Sequence, residues 1–306
     1  MRLARLPDHH PRHILTLYPR MSLSLPHGFK RWSSIAQVRS CQHMLGEEWR
    51  GQQAFQKHLL GSLKASKVAG YCAVCERETE FEIHDASSGA PNWRETMACA
   101  HCGLINRWRA SLHLYRMLGS LIPEGPVYIT EQTTAVYAWL AERLPGLIGS
   151  EFVSSGAKSG ATVDWNGQQL RHEDVTQLSM ASGSLAALLT FDVLEHVPGY
   201  RRALAEFARV LMPGGMMLFT APFLFERQDT VVRAEIDSDG SLVHRLPEIY
   251  HGDPLSKKGV LCFQEFGWDL LDDLISAGFS RCEIISCWAP DAGYYGNLEP
   301  FVIAWR

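Results

Sequence analysis

Four cysteines form two close pairs in the first half of the chain. Two residues separate Cys72 from Cys75, and two separate Cys99 from Cys102. This spacing lets both thiolates of a pair reach one ion, and four thiolates complete the tetrahedral shell of a structural Zn²⁺. The pattern predicts a structural zinc site at these residues, with free or redox-active cysteines as the alternative. Gly103 suits the tight turn behind the second pair.

Acidic residues and a histidine follow the apolar runs further along the chain. Glu151 and Asp174 lie at the ends of two successive runs, and Asp192 and His196 follow the almost wholly apolar run Leu185–Phe191. Because the carboxyl ends of parallel strands meet at one sheet edge, we expect these side chains to line a single ligand site. His196 is a catalytic candidate, since the unperturbed pKa of histidine suits a base at neutral pH.

A second group of catalytic candidates lies in a polar, turn-rich stretch. Tyr250, His251 and Asp253 belong to a segment, about 222–265, that interrupts the regular pattern. An insertion that follows the carboxyl end of a strand can lie over the site. His251 is therefore the candidate for substrate recognition, with Tyr250 and Asp253 beside it.

The hydrophobic pattern defines the elements that must position these residues. Continuous apolar strands alternating with helices are what a parallel sheet covered on both faces requires. We predict an α/β fold: a doubly wound, Rossmann-like, mostly parallel seven-stranded sheet preceded by a small zinc-binding module. The predicted strands are 126–130, 147–152, 169–172, 185–191, 216–221, 282–288 and 301–305, and the predicted helices of this domain are 133–143, 200–211 and 268–277.

The chain of 306 residues is predicted to have three parts. Residues 1–45 contain one acid and scattered prolines, which favours a disordered leader over a targeting segment or a misassigned start. Residues 46–120 form the module, with helices at 47–68 and 104–121 on either side of the cysteines, and residues 121–306 form the main domain. Arg107 and Arg109 are interpreted as a solvated helix face, the alternative being a contact to an anionic substrate.

Bulk composition narrows the class of protein. Apolar residues make up 46% and charged residues 20%, as in ordinary globular proteins. The net charge is −4 and no long Lys/Arg block appears, so the electrostatic footprint of a dedicated nucleic-acid binder is missing. No run approaches the roughly 20 apolar residues of a membrane span. We therefore expect no membrane span and a cytoplasmic protein, and the oligomeric state stays open.

Residues 126–279 resemble the class I S-adenosylmethionine-dependent methyltransferases of type 11. Two strings carry the resemblance: Leu-Thr-Phe-Asp-Val-Leu-Glu-His-Val at 189–197 and Leu-Met-Pro-Gly-Gly-Met-Met-Leu-Phe at 211–219. The resemblance implies S-adenosylmethionine as cofactor, with Glu151 near its ribose and Asp174 near its adenine. Other implied cofactor-site residues follow the strands: Val175, Phe191, Asp192 and His196.

The first loop of the domain departs from the family pattern. The family carries a Gly-x-Gly-x-Gly turn, because the backbone there must approach the amino-acid part of the cofactor closely. The corresponding residues here include no glycine; they are Thr130, Glu131, Gln132 and Thr133. A glutamate can pair with the cofactor's ammonium, and threonine or glutamine can donate to its carboxylate, so we expect binding by different contacts.

The sequence favours methyl transfer to a small-molecule or carbohydrate-type acceptor. One alternative is an RNA methyltransferase, since some enzymes of that class place a zinc-ribbon-like module before this fold. The other is a binding protein that keeps the fold without turnover, for which the altered first loop is the only support. The sequence does not distinguish O-, N- and C-methylation.

Overall fold

The computed structural model describes residues 25–63, 66–88 and 90–306. Its helices are α1 (Ile35–Ser40), α2 (Gln42–Ser62), α3 (Trp93–Thr96), α4 (Asn106–Leu118), α5 (Ala135–Ala141), α6 (Tyr200–Val210) and α7 (Asp269–Ala277). Its strands are β1 (Phe29–Trp32), β2 (Lys67–Cys72), β3 (Arg77–Ile83), β4 (Met97–Cys99), β5 (Val127–Ile129), β6 (Ile148–Gly149), β7 (Thr162–Trp165), β8 (Gln168–Arg171), β9 (Leu185–Phe191), β10 (Leu211–Thr220), β11 (Val231–Val232), β12 (Ala234–Ile236), β13 (Leu242–His244), β14 (Tyr250–Asp253), β15 (Ser256–Leu261), β16 (Gln264–Glu265), β17 (Arg281–Ala289) and β18 (Tyr294–Trp305). No helix in these ranges is long and apolar enough to cross a membrane.

A seven-stranded sheet in the order β1-β17-β18-β10-β9-β5-β6 forms the centre of the molecule. Strands β6, β5, β9 and β10 pair in parallel, whereas β18 pairs antiparallel with both β10 and β17. Five of the seven strands consequently run in one direction. The predicted Rossmann-like, mostly parallel fold is confirmed, and so is the antiparallel pair at the end of the chain.

Helices cover both faces of this sheet. Neighbouring residues of one strand point to opposite faces, so Ile129 packs in one core cluster and Tyr128 in the other. The first cluster includes α4 and α5, and the second includes α6 and α7. This two-sided burial explains why β9 is buried at every position and reads as a continuous apolar run.

The predicted leader over residues 1–45 is wrong where the structure describes it. Strand β1 joins the edge of the central sheet antiparallel to β17, with Phe29 opposite Cys287 and Trp32 opposite Ile284. The Trp32 indole is buried and donates a 2.8 Å hydrogen bond to Ser286 Oγ. Two aromatic side chains supplied the apolar surface for this strand, although prolines precede it. Residues 1–24 lie outside the described part of the chain.

The third predicted strand, 169–172, is not part of the central sheet. Its residues form β8 of a separate hairpin with β7, turned at Asn166 and Gly167, which both have positive φ. An isolated parallel bridge from Glu151 to His172 connects this hairpin to the end of β6. Residues 168–171 thus form a strand, as predicted, but β1 and not β8 is the seventh strand of the central sheet.

The four-cysteine module is a three-stranded antiparallel sheet, β2-β3-β4, packed onto the main domain. Arg109 of α4 is fully buried and donates to the carbonyl oxygens of Leu104, Ala292 and Gly293. Its guanidinium also lies 4.2 Å from the ring centre of Phe81 in β3. The expectation of a solvated face for Arg107 and Arg109 is therefore wrong, because α4 lies between the β2-β3-β4 sheet and the central sheet.

The segment predicted as an insertion folds over the turn that follows β9. Short antiparallel hairpins β12-β13 and β14-β15 make up most of it. Phe263 N donates to Glu195 O at 2.7 Å, and Gln264 Nε2 donates to Leu194 O at 2.6 Å. These bonds hold the β14-β15 hairpin, which carries His251, against residues 194–196.

Candidate functional site

A cavity of about 1340 Å³ opens at the carboxyl ends of β5, β6, β9 and β10. Its walls come from the loops after these strands, the inserted segment, and residues of α3 and α4 from the module. Ligand pockets for one drug-sized molecule are about 300–1,000 Å³. The cavity therefore has room for two small ligands side by side, at the edge of the sheet where this fold class binds them.

Glu151 shapes the glycine-free loop after β5. Its Oε1 accepts hydrogen bonds from Gln132 N at 2.8 Å, Thr133 N at 2.9 Å and Thr133 Oγ1 at 2.7 Å. A carboxylate thus binds the loop in a defined conformation, where the family uses the conformational freedom of glycine. Within the described residues all hydrogen bonds to the Glu151 carboxylate end on Oε1, which leaves Oε2 available to a ligand.

Glu131 lies in the same loop and is buried in the cavity wall. Its Oε1 has no hydrogen-bond partner among the described residues. Burial raises the pKa of Glu131 to about 7, against the opposing effect of Arg107. A buried carboxylate oxygen without a partner is unfavourable, so a cationic ligand group beside Glu131 Oε1 would stabilise it.

The other predicted cofactor residues divide into two groups. Asp174 lines the cavity, and its Oδ1 accepts from Thr176 N and Thr176 Oγ1 at 2.8 and 2.7 Å. Gln132 does not line the cavity, because its side chain accepts from Arg171 N at 2.8 Å and supports the β7-β8 hairpin. The remaining predicted residues that line the cavity are Thr130, Thr133, Val175, Phe191, Asp192 and His196.

Asp192, at the end of β9, is held by two arginines from the module. Arg94 Nη2 lies 2.7 Å from Asp192 Oδ1, and Arg107 Nε lies 3.4 Å from Oδ2. We call Arg94 and Arg107 the arginine clamp. Burial opposes ionisation of Asp192, but the clamp and the Thr220 hydroxyl hold its pKa well below the usual range. The residue has a positive φ of 55°, which marks local backbone strain at the cavity.

Arg94 was not predicted as part of the site, and Arg107 was given only the alternative of a contact to an anionic substrate. Arg107 also forms a bidentate ion pair with Glu95. Its Nε lies 3.0 Å from Glu95 Oε1, and its Nη2 lies 3.1 Å from Glu95 Oε2. Both arginines come from a part of the chain about 85 to 100 residues before Asp192. Only tertiary packing brings the two arginines to Asp192, so their spacing in the sequence does not indicate this contact.

The predicted catalytic residues gather around a glutamate that was quoted in the sequence motif but not selected. His196 and His251 both line the cavity, and their ring centres lie 5.0 Å apart. Glu195 lies between them with its side chain fully buried. Its carboxylate raises the pKa of His251, against the effect of burial. The position of Glu195 next to His196, in a turn after an apolar strand, was the sequence signal that could have identified it as a site residue.

The two remaining catalytic candidates differ in position. Asp253 lines the cavity, and its Oδ1 accepts from Leu255 N at 2.8 Å in the tip of the β14-β15 hairpin. Tyr250 is 52% exposed and is not among the cavity residues. The structure therefore groups three of the four predicted catalytic residues and separates Tyr250 from them.

The four cysteines predicted to bind zinc converge in the module. Their sulfur atoms all lie within 4.8 Å of one another, and Cys75 Sγ is 3.9 Å from Cys99 Sγ. Sulfurs bound tetrahedrally at 2.3 Å to one Zn²⁺ lie about 3.8 Å apart. A disulfide needs an S–S distance of about 2 Å, so the cluster fits an ion and not a bridge. Gly103 has a φ of 71°, as the tight turn requires.

Residues 135–219 match the methyltransferase domain family. Among solved structures, the chain is similar to an S-adenosylmethionine-dependent methyltransferase from Mesorhizobium loti, with 17% identity, 63% of this chain and 97% of that chain covered, and a TM-score of 0.38. It is also similar to a 1,6-didemethyltoxoflavin-N1-methyltransferase from Burkholderia thailandensis, with 18% identity, 64% and 76% covered, and a TM-score of 0.36. No curated protein matches the sequence significantly. The family match extends from α5 almost to the end of β10 in the central sheet.

Proposed function

We propose that the protein binds S-adenosylmethionine in the cavity and transfers its methyl group to a small-molecule or carbohydrate-type acceptor. The observation that carries the proposal is a pair of carboxylates at the strand ends. Glu131 is buried and its Oε1 has no hydrogen-bond partner among the described residues. Glu151 is half-buried, and the hydrogen bonds to its carboxylate all go to Oε1. The cofactor supplies a methyl group on a sulfonium cation, together with an ammonium and two ribose hydroxyls. A cation with several donors fits these two carboxylates.

Each proposed contact follows from the chemistry of the residue. Glu131 accepts from the ammonium, and Glu151 Oε2 accepts from the ribose hydroxyls. Asp174 and Val175 line the adenine side of the cavity, and Phe191 lies at the end of β9 next to the methyl-transfer region. These residues orient the cofactor along the strand ends, which leaves the other half of the cavity for the acceptor.

The acceptor half is bordered by His196, His251 and Asp253. The β14-β15 hairpin borders it with His251 and Asp253. About half of a 1340 Å³ cavity is the size of a pocket for one small molecule, which favours a small acceptor. Tyr250 stays outside this proposal because it does not line the cavity.

The arginine clamp argues against the RNA alternative. An RNA-binding module needs basic side chains that are available to phosphates. Arg94 and Arg107 are instead paired with Asp192 and Glu95 inside the cavity wall. The module therefore contributes to the shape of the site, and we propose that its four cysteines hold a structural Zn²⁺.

Thermal stabilisation by S-adenosylhomocysteine tests the cofactor assignment. Glu151→Gln keeps Oε1 as an acceptor for the loop but loses the charge at Oε2. We expect the wild type to be stabilised by the ligand and the variant to bind about tenfold more weakly, since a hydrogen bond to a charged group contributes roughly 1.5 kcal/mol or more.

A surface variant controls for the loss of one negative charge. Glu142→Gln lies at the exposed end of α5, with its side chain 73% accessible, and should bind like the wild type. Equal affinity of Glu151→Gln and wild type would remove Glu151 from the cofactor site. If neither the cofactor nor its demethylated product stabilises the wild type, the result would favour the alternative of a binding protein without turnover.

A further inference from the structure

Glu195 is an acid whose fully buried carboxylate accepts no hydrogen bond from a described residue. It lies in the 3₁₀ turn Leu194–His196 that follows β9, and its side chain is 0% exposed. Burial of a carboxylate without a partner is costly unless a cation compensates it. The surroundings of Glu195 therefore call for a positively charged group.

Two histidines approach the same carboxylate oxygen. His251 Nδ1 lies 3.5 Å and His196 Nε2 lies 3.7 Å from Glu195 Oε1. Both distances exceed the 2.7–2.9 Å of a charge-assisted hydrogen bond. Donor atoms that share one ion at 2.0–2.2 Å are instead separated by about 3 to 3.6 Å. The three side chains each offer a donor atom, and these atoms lie within 4.8 Å of one another.

The hydrogen bond on the far side of His196 fixes which nitrogen faces Glu195. His196 Nδ1 lies 2.8 Å from the carbonyl oxygen of Leu261, which can only accept. Nδ1 therefore carries the proton, and Nε2 presents its lone pair toward Glu195. Metal-binding histidines are typically held in this way by a backbone carbonyl or a carboxylate.

We propose that Glu195, His196 and His251 bind one divalent first-row transition metal ion, separate from the ion at the four cysteines. Two imidazoles and one carboxylate are a donor set of intermediate softness that suits Mn²⁺, Fe²⁺, Co²⁺ or Zn²⁺. The inserted β14-β15 hairpin supplies the third ligand, so the site is complete only when this hairpin lies over the turn after β9.

The open coordination positions of this ion face the cavity, which all three residues line. Three protein ligands leave room for exogenous ligands, unlike the closed four-cysteine site. An acceptor molecule with a hydroxyl or carboxylate oxygen can occupy these positions and be oriented there. This choice of acceptor class rests on the proposed methyl transfer, whereas the metal site itself does not.

A titration with Mn²⁺ tests the site in protein that carries one equivalent of zinc per chain, the amount that the four cysteines take up. The electron paramagnetic resonance signal of free Mn²⁺ reports how much of the ion is bound. Mn²⁺ prefers oxygen and nitrogen donors and does not compete for thiolates. We expect one Mn²⁺ per chain for the wild type. His251→Gln and Glu195→Gln should each bind at least about tenfold more weakly, because even outer-shell changes at metal sites cost this much.

His244→Gln is the matched control, since His244 is an exposed histidine in the same inserted segment and pairs with Glu248. It should bind Mn²⁺ like the wild type. His251 is only partly buried, so His251→Gln carries the test if Glu195→Gln does not fold by circular dichroism.

Two results overturn the proposal. One is a wild type that binds no Mn²⁺, Co²⁺ or Zn²⁺ beyond the ion at the cysteines, and the other is unchanged Mn²⁺ affinity in a folded His251→Gln variant. The titration contains neither cofactor nor acceptor. Its failure is thus distinct from a failure of the proposed methyl transfer, which the stabilisation by S-adenosylhomocysteine decides.

Discussion

The two oxygens of the Glu151 carboxylate differ in their contacts. Oε1 accepts three hydrogen bonds from Gln132 and Thr133 in the loop after β5, and Oε2 is the oxygen that we propose for a ligand. The bonds to Oε1 fix the conformation of a loop that contains no glycine. The loop after β5 lacks glycine, although the cavity beside it lies at the predicted place, the carboxyl ends of the strands.

The ionisation of Glu131 gives the cofactor site a pH dependence. Its pKa is raised to about 7 by burial, so the side chain is mostly neutral below that pH and charged above it. An ammonium binds the charged form, so the affinity for S-adenosylhomocysteine should rise about fivefold from about pH 6 to about pH 7, and less steeply above. Calorimetric titrations across this range measure the slope.

Glu131→Gln removes the titrating group and should flatten the profile at a lower affinity. Glu142→Gln, on the surface, should keep the wild-type slope. The same slope in Glu131→Gln and wild type would assign the pH dependence to another group.

Residues of the site were predictable to the extent that their role depends on local position. Glu151, Asp174 and Asp192 follow apolar strands, so the sheet edge could be inferred from the pattern alone. Arg94, Arg107 and Glu195 could not be selected in this way, because their importance arises from burial and from contacts with distant segments.

At the scale of elements, strand β1 is part of the main domain. It extends the sheet beyond β17 and buries Phe29 and Trp32. Prolines and basic residues upstream favoured a leader, and four residues are too few for a clear periodic signal. The strand could be recognised only once its partner in the sheet was known.

Trp32→Ala should lower the free energy of unfolding by about 3 to 5 kcal/mol, as loss of a buried aromatic side chain usually does. Trp49→Ala is the matched control, because Trp49 is 48% exposed on α2 and should cost less than about 1 kcal/mol. Urea denaturation followed by circular dichroism measures both. Equal costs for the two variants would mean that β1 does not belong to the folded core.

Helix α4 connects the module to the sheet through Arg109. Arg109→Leu leaves the carbonyl oxygens of Leu104, Ala292 and Gly293 without this donor, and should cost roughly 3 kcal/mol of stability. Arg116→Leu, on the same helix but 41% exposed, should cost less than about 1 kcal/mol. Chemical denaturation distinguishes them, and a neutral Arg109→Leu would contradict a tight interface.

At the scale of the whole molecule, the module and the main domain share one hydrophobic core. A single cluster runs from Cys72 and Phe81 of the module to Leu189 and Ile303 of the central sheet. The predicted boundary near residue 120 falls just after α4, whose apolar side chains lie within this cluster. The module is therefore part of the wall of the site and not a detached appendage.

This shared core connects the cysteine site to the cavity. Cys72→Ser should remove one equivalent of zinc, lower the stability, and weaken binding of S-adenosylhomocysteine, because the arginine clamp depends on α3 and α4. Elemental analysis and calorimetry measure these effects, with Cys41→Ser, a cysteine outside the cluster, as control. Full zinc content and affinity in Cys72→Ser would show that the cysteines do not hold the ion.

Calorimetric titration of the intact, zinc-loaded protein with S-adenosylhomocysteine tests the central claim most directly. We predict saturable binding of one ligand per chain, weakened by Glu151→Gln and unaffected by Glu142→Gln. The absence of binding at ligand concentrations up to about 1 mM, where an affinity of about −4 kcal/mol would still be detected, would contradict the proposal that this cavity holds the methyl donor.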